Sequence, residues 1–383
     1  MTYPLFQKIK ILCVFLFMPL GLWAEEQNVN WYHNFMFQDK TFEYEFIRTL
    51  GYSTTGAADI GEAIATARAI KDGDIYSWRD EWLKTAERMK ALANRMENEG
   101  QTVSAREAYF RASNYFRTAG FFLNAPKDRA EGIDIWQKSV DSFRKGARFF
   151  PALTQVAIPY EGTTLPGYLL KSDIKDAPLL IVHTGFDGTK EELFFAVGTA
   201  ALARGYNVLI FEGPGQGEVI KKQNIPFRYD WEKVVTPVVD YAIKLDFIDK
   251  KKISLMGISL GGYLAARAAA FEHRIEACVL NGGIFDFFAT VMQTMPPNER
   301  ELLQQDPEKF NTILYEVLTK NPQASWFFNN GMWTFQSKTP SEFLNKLKPF
   351  TVQAIAQNIR CRTLVIDSAA DLLFKGQPEL VMD

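Results

Sequence analysis

Cysteine is scarce in this 383-residue sequence, which contains three cysteines and three histidines. Cys278 and Cys361 lie in apolar, strand-like segments, and Cys13 lies in an N-terminal segment that we expect to be removed. The two remaining cysteines are too few for a disulfide framework in a chain of this size. We therefore predict buried free thiols rather than a disulfide bond.

A strong net charge is also lacking. The 43 Lys and Arg residues nearly balance the 45 Asp and Glu residues, and the formal net charge is −2. The sequence has no basic stripe and no block of like charge, which argues against a nucleic-acid partner and against a charged tail. We expect a small-molecule substrate as the partner, and a homodimer is left open.

The N-terminal apolar run is too short to span a membrane. Lys8 and Lys10 precede the run at residues 11–24, and two glutamates follow it. A membrane-spanning helix needs about 20 apolar residues, whereas a basic start, a short apolar run and a small final residue are typical of a secretory signal peptide. We predict a signal peptide at residues 1–24, a secreted or periplasmic protein, and no membrane span after cleavage. An uncleaved N-terminal membrane anchor is the alternative.

Two regions of different periodicity follow. Residues 25–150 carry apolar side chains at spacings of three and four, which predicts a helical domain, with Ser77 and Ser104 as N-caps. In residues 151–383, strand-like segments alternate with helical ones, which predicts an α/β fold with a mainly parallel, doubly wound sheet. Residues from about 284 to 347 interrupt this alternation with helical, aromatic-rich sequence, and we predict that they form a cap over a site.

A serine lies between a predicted strand and a predicted helix. The segment Gly257-Ile-Ser259-Leu-Gly261 follows an apolar strand and precedes an Ala-rich run. It resembles the nucleophile elbow of α/β-hydrolases, a sharp turn that exposes a serine hydroxyl above the sheet. We predict that Ser259 is the nucleophile and that the backbone N–H of Leu260, at the helix N-terminus, faces a developing oxyanion.

Serine catalysis also needs a base, a carboxylate that orients the base, and a second oxyanion donor. Asp371, just beyond the last predicted strand, is the preferred carboxylate, and Asp367 is the alternative. The loop after the first central strand offers the backbone N–H of Gly185 or Phe186 as the second donor. His183, which begins this loop, is expected to shape the hole rather than to transfer a proton.

Aromatic residues in the predicted insertion suggest an apolar or aromatic substrate, with Trp333 as a pocket residue. Packing of the cap itself explains these residues equally well. Among the candidates are Trp326, Phe327, Phe328, Trp333 and Phe335.

Three motifs together resemble one group of α/β-hydrolases. They are Glu212-Gly-Pro-Gly-Gln-Gly-Glu, Arg228-Tyr-Asp-Trp-Glu-Lys-Val and Gly257-Ile-Ser-Leu-Gly-Gly, and they follow a helical N-terminal domain. The group comprises the fermentation-respiration-switch-like esterases, 2,6-dihydroxypseudooxynicotine hydrolase and the fungal pigment-pathway polyketide-shortening hydrolases.

The resemblance implies a Ser-Asp-His triad in a site between the helical domain and the hydrolase core. It also implies cleavage of an ester or an activated carbon–carbon bond next to a carbonyl group, without a metal or an organic cofactor. Glu212 is a candidate pocket or catalytic residue, as is Asp230, although fixing the glycine-rich turn and capping the next helix are the favoured roles.

This sequence differs from the group in the histidine of the triad. The group places it a few tens of residues after the acid, beyond a further helix and strand, whereas this sequence ends at Asp383. His33 precedes the helical domain and His273 follows the elbow helix, so neither is a credible base. We therefore expect a C-terminally truncated serine hydrolase that is nearly inactive as given. The alternatives are a catalytically dead binding protein and a prolyl-oligopeptidase-like exopeptidase, the latter disfavoured by the helical N-terminus.

Overall fold

The computed structural model describes residues 35–368, 371 and 374–382. The predicted signal peptide at residues 1–24 and His33 therefore lie outside the described residues. Five helices form the N-terminal domain: α1 Lys40–Gly51, α2 Ile60–Ala69, α3 Ile75–Asn98, α4 Thr102–Gly120 and α5 Arg129–Ala147.

Aspartates, not serines, cap the first three helices. Asp39, Asp59 and Asp74 accept hydrogen bonds from the first free N–H groups of α1, α2 and α3. The predicted caps Ser77 and Ser104 are wrong, because α3 and α4 each begin before them, at Ile75 and Thr102. An aspartate side chain accepts hydrogen bonds from the first N–H groups of a helix as well as a serine does. Apolar periodicity alone therefore did not determine where α3 and α4 begin.

A seven-stranded sheet forms the second layer. Its strands are β1 Leu153–Tyr160, β2 Thr163–Leu170, β3 Ala177–His183, β4 Asn207–Phe211, β5 Ile248–Ile258, β6 Ala277–Asn281 and β7 Arg362–Ile366. The order is β1-β2-β4-β3-β5-β6-β7, and the strands from β4 to β7 are parallel. The predicted mainly parallel α/β sheet is confirmed, and β1 and β2 add an antiparallel hairpin at one edge.

Within the described ranges, ten further helices accompany the sheet. They are α6 Lys190–Leu193, α7 Thr199–Ala203, α8 Glu232–Ala242, α9 Leu260–Ala269, α10 Phe287–Thr294, α11 Pro297–Gln305, α12 Pro307–Leu318, α13 Pro322–Thr334, α14 Pro340–Leu347 and α15 Gln377–Met382. The five helices α10 to α14 lie between β6 and β7, where the sequence predicted a cap. We call these five helices the cap.

Different elements bury the two faces of the sheet. Apolar residues of α8, α9 and the cap pack in one cluster with one face. On the other face, Val208 and Ile210 of β4 pack with Phe110 and Phe143 of the helical domain. At the β7 edge, Leu364 remains 57% exposed. Cys278 and Cys361 are free thiols, the first buried and the second half-buried.

Candidate active site

Ser259 occupies a strained turn between β5 and α9. Its backbone has φ 60° and ψ −128°, in a region that non-glycine residues rarely adopt. Its N–H donates to the carbonyl of Asn281 at 2.7 Å, which ties the turn to the end of β6. Gly257 is required here, since a Cβ at that position would collide with the carbonyl oxygen of Gly261. Strain of this kind is typical of functional sites, because packing must hold it in place.

The loop after β3 lies directly against this turn. A Cβ on Gly185 would lie 2.6 Å from the backbone nitrogen of Leu260. Within the described residues, the N–H groups of Gly185, Phe186 and Leu260 donate to no protein acceptor. Leu260 is the first residue of α9, where N–H groups have no partner in the helix. The three predicted oxyanion donors thus lie in adjacent segments with their hydrogens available.

Two amide side chains that the sequence analysis missed hold the carbonyl groups of this loop. Gln216 donates through Nε2 to the carbonyl of Thr184 at 2.6 Å, and Asn330 donates through Nδ2 to the carbonyl of Phe186 at 3.0 Å. Both side chains are buried. Gln216 belongs to the Glu-Gly-Pro-Gly-Gln-Gly motif, so that motif was the available signal. Asn330 lies in the cap helix α13, and no sequence pattern connects it to this loop.

Glu212 lies inside the fold and does not line the cavity described below. Its Oε1 accepts from the N–H of Lys190 at 2.9 Å, and its Oε2 accepts from Lys190 Nζ at 3.1 Å and from the N–H of Glu218 at 2.7 Å. Burial raises the pKa of Glu212, against the effect of the Lys190 ammonium. These contacts bridge both ends of the glycine-rich turn, in agreement with the turn-fixing role that the sequence favoured.

Asp230 forms a largely buried ion pair rather than a helix cap. Arg228 donates to both of its carboxylate oxygens, at 2.7 and 2.9 Å, and Lys233 Nζ lies at 2.9 Å. Hydrogen bonding by Arg228 holds the pKa of Asp230 well below its usual range. The N-cap position of α8 is Trp231, without a side-chain hydrogen bond, so the predicted capping role of Asp230 is wrong.

Asp371 lies in the loop between β7 and α15, at the edge of the described residues. Its Oδ1 accepts from the N–H of Phe374 at 3.0 Å. The alternative acid, Asp367, is exposed and accepts from the N–H of Ser368. Gln377 of α15 accepts through Oε1 from the N–H of Asp286 at 2.9 Å, so α15 is fastened to the start of the cap.

Neither described histidine is hydrogen-bonded to Ser259. His183 is fully buried between Phe211 and Trp231, with Nδ1 3.0 Å from the carbonyl of Thr184. Burial lowers the pKa of His183 to about 4, so the ring is neutral at pH 7. His273 is exposed beyond the C-terminal end of α9, a helix of ten residues and therefore about 15 Å long.

A small cavity lies where the helical domain, the cap and the loop after β3 meet. Its volume is about 60 Å³. Phe186 forms part of its wall, together with Trp136 of α5 and Trp333 of α13. The predicted pocket residue Trp333 thus faces a cavity that also reaches the predicted oxyanion loop. In the part of the chain that the structure describes, no group of three or more acidic, His or Cys residues could hold a metal ion, and no helix is long and apolar enough to cross a membrane.

Comparison with known proteins gives a consistent result. A family model described as the alpha/beta hydrolase fold matches residues 177–347. The chain is 35% identical to hydrolase acrC of Aspergillus aculeatus, over 87% of this chain and 83% of that protein. It is 34% identical to the 20-hydroxy-prefusarin hydrolase of Gibberella moniliformis, over 88% of this chain and 84% of that protein.

A solved structure has the same fold. The crystal structure of 2,6-dihydroxy-pseudo-oxynicotine hydrolase matches with a TM-score of 0.68 at 22% identity, over 87% of this chain and 84% of that one. The match extends beyond the sheet, since it covers more of the chain than the sheet and cap together occupy.

Proposed function

The chain belongs to the α/β hydrolase family, and from this premise we propose that it is a serine hydrolase. The proposed substrate is an apolar or aromatic small molecule, cleaved at an ester or at an activated carbon–carbon bond next to a carbonyl group. The relatives named above support a hydrolase that acts on a small molecule, and the 20-hydroxy-prefusarin hydrolase is named for such a substrate. The observation that carries the serine mechanism is the strained backbone of Ser259, with φ 60°, at the N-terminus of α9.

In the proposed reaction, the hydroxyl oxygen of Ser259 attacks the carbonyl carbon of the substrate. The N–H of Leu260, with that of Gly185 or Phe186, stabilises the negative charge on the carbonyl oxygen. The leaving group departs with a proton, and water then cleaves the acyl-enzyme and restores the Ser259 hydroxyl. We assign to Asp371 the role of the carboxylate that orients the base.

The base is the weakest part of this site among the described residues. Hydroxyl attack needs a proton acceptor within hydrogen-bond reach, and His183 and His273 are directed elsewhere. We therefore expect acylation of Ser259 to be slow in this chain, and to become faster when free imidazole supplies the missing acceptor.

The test is labelling of the folded chain by a fluorophosphonate, followed by intact mass and peptide mapping. We expect one adduct, on Ser259, formed slowly without imidazole and faster with it. Ser259→Ala should abolish the adduct, whereas the matched control Ser254→Ala, on the same strand, should leave it unchanged. An adduct that persists in Ser259→Ala would contradict the proposal, and rapid stoichiometric labelling without imidazole would show that a base reaches Ser259.

A catalytically dead binding protein is the second candidate, favoured by the position of the two described histidines. In that case no adduct forms at Ser259 at any imidazole concentration, although the protein is folded and binds small aromatic molecules. Labelling with imidazole present therefore decides between the two candidates.

We also propose that the protein is exported, on the sequence of residues 1–24 alone. Expression of the full gene in a Gram-negative bacterium, followed by fractionation and intact mass of the product, tests this proposal. A periplasmic protein that begins near Glu25 is the expected product. A full-length protein in the membrane fraction would favour the anchor.

A further inference from the structure

Two cationic side chains face the cavity between the helical domain and the cap without an acidic partner. Lys221 Nζ lies over the rings of Trp136 and Trp333, at 5.6 and 5.1 Å from their centroids. The Arg129 guanidinium lies over the Trp333 ring at 4.9 Å. In the described parts of the chain, neither cation forms an ion pair. Arg129 donates through Nη2 to the carbonyl of Asn124 at 3.2 Å, whereas its buried Nε has no hydrogen-bond partner.

Other charged residues on the cavity wall form ion pairs, and Lys221 and Arg129 differ from them in this respect. Asp187, on the cavity wall, is paired with Arg48 at 3.4 Å. Arg117, also on the wall, is paired with the buried Glu45 at 3.3 Å. Natural proteins rarely leave a desolvated charge without a partner, because such a charge is costly. An anionic ligand would provide the missing charged partner for Lys221 and Arg129.

The local backbone supports this position for Lys221. It lies in a single π-helical turn, Val219–Gln223, that follows the glycine-rich turn held by Glu212. Single π-helical turns are rare and occur frequently at functional sites. The turn places the Lys221 ammonium against the cavity. The next residue, Lys222, also lies over the Trp136 ring, at 5.4 Å, but it does not line the cavity and is paired with Glu218.

The cavity is large enough for one polar group attached to an aromatic ring, but not for a large molecule. A volume of about 60 Å³ accommodates several water molecules by this measure, since each needs about 10–15 Å³. Phe186, which is itself a predicted oxyanion donor, also lines this cavity. An anionic group held by the cations would therefore belong to a molecule that extends towards the loop after β3.

We propose that Lys221 and Arg129 bind an anionic oxygen group, a carboxylate or a phenolate, on an aromatic substrate whose ring packs against Trp136 and Trp333. This inference rests on the proposed function in one respect, because the bound molecule is taken to be the one that Ser259 attacks. Lys221 and Arg129 are binding residues here, and they take no part in bond cleavage.

Binding is tested without turnover, in the Ser259→Ala protein, by calorimetric titration with 2-naphthoate and with 2-naphthamide. The two probes have nearly the same shape and differ in charge. We expect 2-naphthoate to bind about tenfold to a hundredfold more tightly, as a charge-assisted hydrogen bond predicts. Lys221→Met should remove that difference, Lys221→Arg should keep most of it, and the charge-matched control Lys251→Met, on the exposed part of β5, should not change it.

The affinity for 2-naphthoate should also depend on pH. Burial lowers the pKa of Lys221 to about 8, against the carboxylates of Glu212, Glu191 and Asp187 and with the ammonium of Lys190. Binding of an anion favours the charged ammonium, so affinity should decline as pH rises above about 8. In Lys221→Met this decline should be absent.

The outcomes separate this inference from the proposed function. Equal affinity for 2-naphthoate and 2-naphthamide, or unchanged selectivity in folded Lys221→Met, would overturn the anion site even if the fluorophosphonate labels Ser259. Selective binding of 2-naphthoate that depends on Lys221 would support the anion site even if Ser259 is never labelled. Lys221→Met removes a buried charge that forms no ion pair in the described residues, so we expect the variant to fold, and its circular dichroism spectrum is the check.

Discussion

Gly185 determines how closely the loop after β3 can approach the serine turn. A methyl group at this position would lie 2.6 Å from the nitrogen of Leu260 and 2.8 Å from the carbonyl oxygen of Ile258. Both atoms belong to the backbone, so neither can move without displacing the turn. We expect Gly185→Ala to lower the free energy of unfolding by about 1–3 kcal/mol and to abolish fluorophosphonate labelling of Ser259.

Gly51→Ala is the control for the Gly185 substitution. Gly51 ends α1 with φ −55°, and no atom lies within 4 Å of its added Cβ. Its substitution should be neutral or should stabilise the protein by up to about 1 kcal/mol. Urea denaturation of both variants measures the difference, and a Gly185→Ala protein that is as stable as the wild type and labelled normally would contradict the predicted close approach.

Glu299 is a buried carboxyl group in the cap without a matching charge. It lies in α11, is 6% exposed, and its Oε2 has no hydrogen-bond partner in the described residues. Burial raises the pKa of Glu299 from 4.5 to about 7. The folded state therefore favours the protonated carboxyl, and stability that is fully present below about pH 4.5 is lost as the pH rises through 7.

We expect Glu299→Gln to stabilise the protein at pH 8 by about 1–2 kcal/mol and to have little effect at pH 4.5. The amide keeps the shape of the protonated acid and cannot ionise. Urea denaturation at both pH values measures this difference. The exposed Glu301, on the same helix, serves as control through Glu301→Gln, and equal effects of the two substitutions at pH 8 would reject the assignment.

At the scale of elements, α1 and α6 are joined by a buried ion-pair network. Arg48 of α1 donates to both carboxylate oxygens of Glu192, at 2.7 Å each, and Tyr52 donates to the same group at 2.7 Å. Although burial opposes ionisation, Arg48 and Arg117 hold the pKa of Glu192 at about 2. Its contribution to stability is therefore present above pH 4.5 and is lost as the pH falls through 2.

Arg48→Met should destabilise the protein by about 3–5 kcal/mol at pH 7, because it leaves the Glu192 carboxylate buried without its main partner. The double variant Arg48→Met with Glu192→Met should recover much of this loss, since two apolar side chains replace the pair. Chemical denaturation of the two single variants and the double variant measures the coupling. Additive losses would show that the two side chains do not interact.

The sequence predicted elements better than contacts between them. Helical periodicity identified α2 to α5, and apolar runs identified each strand from β3 to β7, because these patterns are local. The turn at Ser259 was also predictable from a local pattern, because the strand, the glycine-bounded serine and the helix follow one another in the chain. In contrast, Arg48 and Glu192 are 144 residues apart in the sequence, and no local pattern predicts their contact.

The same limit explains which site residues were missed. Gln216 was visible inside a motif, but its role as the donor to Thr184 depends on how two loops meet in space. Asn330 comes from the cap, and only the docking of α13 on the loop after β3 brings it to Phe186. Lys221 has no sequence signature, because only the fold shows that its ammonium faces the cavity without forming an ion pair in the described residues.

At the scale of the whole molecule, the helical domain and the sheet share one core. Phe143 of α5 stacks on Phe110 of α4 and lies 4.9 Å from the ring of Tyr168 on β2. It also contacts Phe194, in the turn that links α6 to α7. A domain whose aromatic side chains are buried against its neighbour cannot unfold without exposing that neighbour.

We therefore expect the helical domain and the hydrolase domain to unfold in one cooperative step. Phe143→Ala should lower the free energy of unfolding by about 3–5 kcal/mol, as for other buried phenylalanines. Hydrogen exchange measured by mass spectrometry should show the same loss of protection in peptides from β3 and from α3, which contributes no residue to the apolar cluster that contains Phe143. Phe35→Ala, at a position that is 50% exposed, should leave both unchanged. If α3 lost protection while β3 kept it, the helical domain would be an independent unit, and the cavity that it forms with the cap could open without disturbing Ser259.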